Sequence, residues 1–376
     1  MAFRKASSVR CKWAIKSAEA ALKRLTASPA LLPDLLARAA GCAAPELRQL
    51  AAVLLRKAVT KHWTKLGDQD RAHMQAVLLE RLTAEPAHPV RTSLGQLVGV
   101  VARHAVPRGQ WPGLLEWLGR AAGSGEAGHR EVALSLLGSL AEHVGEALAP
   151  HFASLVAVVG SGLRDPDTAV RRAAVRSLEP IAAMAAGGGT AELEAFHGLV
   201  AALLELASAC AQSSPPDEET LLLCLQLLVE ATESAAPLLG KHLAPAVQLA
   251  LAVGTDARAE LATREAALEL VHWIARFKPK QLGRTKELVR SIVGALCTMA
   301  AEPPPPDLDP DDDGTLPPAK LATQALDAVA LHVPPPSVYP AVRAGGRAGA
   351  CVAGGPDWAG AFMRLGPSAR PNKHTG

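Results

Sequence analysis

Aromatic residues are scarce in this chain of 376: Phe, Trp and Tyr make up 3% of it, although 49% of the residues are hydrophobic. Leu, Ala and Val supply nearly all the apolar surface, and such side chains suit close helix–helix contact better than a pleated sheet. An all-α protein is the expectation. Cysteine is sparse as well. Cys11, Cys42, Cys210, Cys224, Cys297 and Cys351 stand without paired spacing, so no disulfide framework and no CxxC site is expected. They read as reduced thiols of a cytosolic or nuclear protein. No apolar run reaches the ~18–20 uninterrupted residues that a membrane span needs. The opening MAFRKASSVRCKWAIK lacks the apolar core of a secretory signal.

Chemical motifs are missing too. The chain has no phosphate-binding loop, no GxGxxG, no HExxH and no GxSxG. Its twelve histidines are dispersed, without the Cys or carboxylate companions of a metal site. Asp165 and Asp167 are close enough to be imagined as a catalytic pair, but they read as helix caps in a repeat turn. No catalytic residue, metal or cofactor is assigned, and the chain does not read as an enzyme. Trp13 and Trp63 are isolated, which leaves a nucleic-acid surface without a stacking platform. Trp111, Trp117 and Trp273 read as core or rim residues. Neither a nucleic acid nor a membrane is expected as a direct partner.

What the chain does have is a charge gradient and a period. Residues 1–65 hold 13 Lys and Arg against 3 Asp and Glu, a net +10, while the remainder nets −7. Opposite ends of the chain would then attract different partners. Along the whole length, a basic residue followed by an apolar, Ala-rich run at helical spacing recurs. It appears in 45–59, 88–104, 128–145, 167–184, 262–277 and 318–333, with a degenerate copy in 217–231. The markers are Arg48, Arg91, Arg130, Arg171, Glu218, Arg264 and Lys320, separated by 43, 39, 41, 47, 46 and 56 residues. A further amphipathic helix lies between successive markers, as in 70–82, 111–121, 151–163, 195–207 and 287–299. Helix pairs at roughly 40–47 residues are the pattern of HEAT or armadillo arrays, so the expected fold is an α-solenoid of about eight HEAT repeats, the last incomplete. Each pair would bury its two apolar faces only by stacking on its neighbours.

The last separation is long because it contains EPPPPDLDPDDDGTLPPAK, Glu302 to Lys320. Its prolines hold the chain extended, and its aspartates repel one another, so the segment reads as an insertion that cannot pack. It would present a negative strip to basic partners.

Two stretches carry a resemblance. Residues 17–66, with AEAALKRL, LLPDLL and LRQLAAVLLRKAVTKHW, resemble the N-terminal domain of the importin-β (β-karyopherin) superfamily. Residues 295–342 look like the part that carries that family's acidic loop, and within the family the chain is most similar to the importin-4 type. The resemblance implies a nuclear transport receptor that shuttles between cytoplasm and nucleus through the pore. It implies as partners the small GTPase Ran in its GTP form, basic cargo such as ribosomal proteins or histones, and the FG repeats of nucleoporins. The Ran-binding candidates it implies are Arg48, Arg56 and Lys57, off a buried stripe of Leu47, Leu50, Ala51, Leu54 and Ala58. From the loop, Asp307, Asp309, Asp311, Asp312 and Asp313 are implied to meet Ran or a basic cargo. The competing reading is a HEAT scaffold unrelated to transport.

The expected organisation is an atypical segment 1–16, importin-type repeats 17–66, a HEAT array 67–300, the acidic loop 301–319, a continuation of the array 320–342 and a tail 343–376. That Gly-, Ala- and Arg-rich tail has no helical period. It reads as the product of a truncated gene model, with a disordered basic tail as the alternative.

Overall fold

The computed structural model describes residues 28–303 and 316–349. Among them are helices, short 3-10 turns and loops, and no strand. The helices are α1 (Leu31–Gly41), α2 (Pro45–His62), α3 (Asp68–Ala84), α4 (His88–Ala105), α5 (Gly113–Ala122), α6 (Ala127–Leu148), α7 (Phe152–Leu163) and α8 (Thr168–Gly187). They continue as α9 (Thr190–Gln212), α10 (Glu218–Glu233), α11 (Leu243–Thr255), α12 (Leu261–Phe277), the short α13 (Pro279–Gly283), α14 (Lys286–Ala300), α15 (Pro318–His332) and α16 (Pro335–Gly349). Every marker run is a helix. α4 begins at His88 and α15 at Pro318, the residues at which the periodicity places them.

The chain divides into two compact units, Met1–Met184 and Ala185–Gly376. In the first, marker helix packs on marker helix, α2 on α4 and α4 on α6, while α1 pairs with α2 and α5 with α6. The second repeats the plan: α10 packs on α12 and α12 on α15, and the intervening helices α9, α11, α14 and α16 follow one another in the same way. A helix in such an array loses apolar surface on several sides. α4 therefore buries Val90, Leu94, Leu97, Val98, Val101, Ala102 and Ala105 together. Each large aliphatic side chain so buried contributes about 1.5–3 kcal/mol. Small residues set the spacing. A Cβ on Gly99 would lie 2.5 Å from Ser139 Oγ, and one on Gly138 would lie 3.2 Å from Ser177 Cα, so the marker helices of the first unit touch where a side chain is missing.

Two expectations need correction. On α2 the buried stripe is Arg48, Ala51, Ala52, Leu55, Ala58, Val59 and His62, while Leu47 and Leu50 are 53% and 48% exposed. The inward row is the one with most alanines, because close stacking rewards small side chains above large ones. The helical pattern does not end at 342, since α16 runs on to Gly349. By length and composition alone, Thr190–Gln212 and the stretch Ala127–Leu163 are apolar enough to cross a membrane, although charged residues and glycines interrupt both, as the run-by-run reading requires. The apolar side of α9 is spent inside the protein, where Phe196, Leu199, Val200, Leu203 and Ala207 are buried and the helix packs on α10 and α11.

Candidate interaction surface

The marker arginines are joints between repeats. Arg48 Nη1 donates to the carbonyls of Cys42 and Ala43, at 2.8 and 3.0 Å, in the turn before its own helix. Its Nε and Nη2 donate to both oxygens of Glu85, in the following repeat, at 2.9 and 2.7 Å. Arg130 repeats the arrangement: Nη1 reaches the carbonyls of Ser124 and Gly125, and Nε and Nη2 grip Asp165 at 2.7 and 2.9 Å. Arg171 Nη1 caps the carbonyls of Asp165 and Pro166, both at 2.9 Å. The guanidinium suits this task because its planar fork serves two carbonyls and one carboxylate at once. The carboxylates respond. Burial pushes Glu85 up, but the bonds from Arg48 and the Ala87 N–H outweigh it and hold the carboxyl below its ordinary value. Asp165 is held down chiefly by Arg130.

This geometry reassigns two residues. Arg48 is 8% exposed and committed to Glu85, so it lies on the buried stripe of α2 and not off it. Asp165 does not cap α8. That task falls to Asp167, whose Oδ1 accepts from the N–H groups of Ala169 and Val170 at 2.8 and 3.3 Å.

Elsewhere the ladder is less regular. Arg91 takes the Glu85 carbonyl and, more loosely, Glu131 at 3.3 Å. In the second unit Glu218 stands in a marker position and accepts only the Glu260 N–H, at 3.3 Å. Arg264 regains the pattern, with Nε on the Gly254 carbonyl and Nη2 on Glu302 at 2.7 Å. Lys320 is exposed.

The remaining sequence candidates divide. On α2, Arg56 is half-buried and donates to Gln96 Oε1 on α4. Lys57 is exposed one residue on, Lys61 is exposed one turn further along the helix, and Arg103 is exposed on α4. These cations occupy the solvent side of two packed marker helices in the first unit. Asp307, Asp309, Asp311, Asp312 and Asp313 lie outside the described residues, as do 1–16, the motif AEAALKRL and the chain beyond 349. No group of three or more His, Cys, Asp or Glu that could hold a metal ion occurs among the described residues. Cys210 and Cys224 are buried, and burial pushes the Cys224 thiol well up.

Two features of the second unit escaped the sequence reading. A groove of about 1060 Å³ lies beside α9, α10 and α11, with Leu204, Leu221, Leu249 and Val253 among its apolar walls and Glu218, His242, Asp256 and Arg258 among its polar ones. Arg258 holds the Asp256 carboxyl down to about 2. The other feature is an aromatic stack on α12. Trp273 and Phe277 are parallel, with centroids 5.4 Å apart, and Arg276 lies 5.4 Å from the first ring and 5.9 Å from the second. The signal for it was present in HWIARF, an i, i+4 aromatic pair with a cation between.

With the geometry in hand, likeness to known proteins can be weighed. Residues 18–84 match the importin-beta N-terminal domain, and residues 86–249 match the IPO5-like TPR repeats. Human importin-4 is 28% identical over 337 residues, 87% of this chain and 31% of its own length. A probable importin subunit beta-4 of Schizosaccharomyces pombe is 32% identical over 103 residues, 27% of this chain and 10% of its own. The chain thus spans about a third of the length of the importin-4 relative. Among solved structures, Kap121p superposes with a TM-score of 0.70 at 22% identity, covering 84% of this chain and 31% of that one. That likeness establishes the all-α solenoid. Lying end to end over 18–84 and 86–249, the two matched models, together with the importin-4 relative, support an N-terminal fragment of the importin-β superfamily.

Proposed function

We propose that the chain is the GTPase-binding and partner-binding part of a nuclear transport receptor, working by reversible association without catalysis. The observation that carries this reading is the importin-type N-terminal domain over 18–84, joined to a solenoid of the kind seen in Kap121p, one solved form of which is bound to RanGTP. The cations on the solvent side of α2 support a GTPase contact there: Lys57 is free to reach an acidic surface, and Arg56 needs only to release Gln96. Arg48 has a different part. Its guanidinium is spent on Glu85, so it supports the contact by fixing α2 against the next repeat.

The aspartates 307, 309, 311, 312 and 313 complete the proposal as a negative strip for the GTPase or for a basic cargo. Kap121p has also been solved bound to Nup53p, and the groove beside α9 and α11 offers apolar walls to the phenylalanines of a nucleoporin repeat. The mechanism is competitive. The GTPase in its GTP form and the cargo draw on a shared surface, so nucleotide state governs release. Shuttling between cytoplasm and nucleus follows from that cycle.

The test is capture of this chain by Ran locked in its GTP and GDP forms. GTP-selective binding is expected, with Lys57→Glu weakening it about tenfold, as loss and reversal of a contact charge at an interface does. Binding of neither form would leave a HEAT scaffold as the better account.

A further inference from the structure

We propose that the Trp273–Phe277 stack on α12 is a docking platform for the lysine or arginine side chain of an extended basic segment in a partner protein. The inference rests on the receptor reading above and gives it a cargo-side anchor that no family motif supplies.

A helix in a stacked array normally turns its aromatics inward, as Trp63, Trp111 and Phe196 do at 2%, 7% and 1% exposed, while Trp117 is half-buried and Tyr339 is 37% exposed. Phe277 is 43% exposed and Trp273 half-buried. Their rings are nevertheless ordered. They stack at an interplanar angle of 14°, His272 meets Trp273 edge-on at 5.1 Å, and the Trp273 indole N–H donates to Glu269 Oε1 at 3.3 Å. A preformed pair of ring faces, held by a hydrogen bond and open to water, binds a guanidinium or ammonium at little ordering cost. The platform already holds one cation, Arg276, whose guanidinium carbon lies within cation–π distance of both rings.

The charge around the stack favours the same occupant. Glu269 and Glu265 lie one and two turns before Trp273 on α12, and no described ion pair engages either. Burial, and then the charge of Glu269, push the Glu265 carboxyl up, as expected of a carboxylate short of a cation. Of the helices packed on α12, α10 adds an exposed Glu233 and α15 an exposed Asp327, together with Leu331, 71% exposed. The basic groups on this side are Arg276 itself, the exposed Lys280, and Lys278, whose ammonium is given to the Ser234 carbonyl at 2.7 Å. The surroundings are net acidic, which disfavours a nucleic acid or an acidic peptide and suits a basic one.

The experiment uses the whole chain and a fluorescein-labelled peptide of alternating lysine, arginine and glycine, read by anisotropy at about 0.15 M salt, where loose surface attraction is screened. A second peptide carries glutamine in place of every basic residue. Phe277→Ala and Trp273→Leu are each expected to weaken the basic peptide by about threefold to fivefold, the size of an exposed cation–ring contact. Arg276→Gln, which vacates the ring faces, is expected to tighten it. Helical content of Phe277→Ala should match the parent and its Tm should stay close to it, since that residue is 43% exposed. Unchanged affinity in both ring variants overturns the proposal. So does equal binding of the glutamine peptide, or self-association of the chain that Phe277→Ala abolishes. Ran capture by the same variants separates the two readings: its loss in the parent chain with ring-dependent peptide binding retained would sink the receptor function and leave this site standing.

Discussion

The two compact units are built to one plan and joined differently within themselves. In the first, each marker is an arginine, and two of the joints are full bidentate clamps, Arg48 on Glu85 and Arg130 on Asp165. In the second, the corresponding positions hold a glutamate, an arginine bound through single contacts and an exposed lysine. Helix packing alone therefore suffices to stack repeats, since α10, α12 and α15 pack in sequence as α2, α4 and α6 do. The clamps add orientation. They belong to the region that presents the α2 cations, where a GTPase contact would require fixed helix ends.

The largest effect is expected from breaking a clamp. Glu85→Ala leaves the buried guanidinium of Arg48 without its carboxylate and should destabilise the first unit by about 3 kcal/mol. Denaturant melts would measure it, and hydrogen exchange would place the loss in α2 and α4 while α10 and α12 keep their protection. Equal loss in both units would refute the separation.

Acid should act in the same direction and more gently. Glu85 and Asp165 have folded values below their unfolded ones, so their contribution is present above the ordinary carboxylate range and is lost as pH falls through the depressed values. As pH falls below about 4, the first unit should lose protection sooner than the second. Asp256, although held to about 2, pairs with Arg258 across two residues in an exposed turn and should matter little. If the second unit melts first on acidification, the clamps are not the acid-sensitive joints.

The smallest effect is at Lys320. It holds a marker position with no joint among the described residues, so Lys320→Ala should stay within about 0.5 kcal/mol of the parent. A cost comparable to that of Glu85→Ala would show that the ladder continues through it.

Much of this was legible in the sequence. The period of the markers located a helix at each of them because each must return to the same turn, and a turn recurs when helix lengths do. Facing was harder. α2 carries Leu47, Leu50, Leu54 and Leu55, so leucine content alone offers more than one stripe, and only contact between neighbours chooses the row of Ala51, Ala52 and Ala58. The role of Arg48 was hidden for the same reason. A charged residue at the edge of an apolar row reads as solvated until its partner, 37 residues away, is in view. The Trp273 stack was read only as core or rim material, because spacing reveals that two rings meet but not whether water reaches them.

Arg264 finds its carboxylate in Glu302, the residue just before the proline and aspartate run begins. The extra length is thus spliced in behind the hinge pin instead of through it. A receptor wired this way can change the length, charge or composition of that appendage between relatives without re-aligning the helices on either side. Variation in whom it meets is separated from the mechanics that keep it standing.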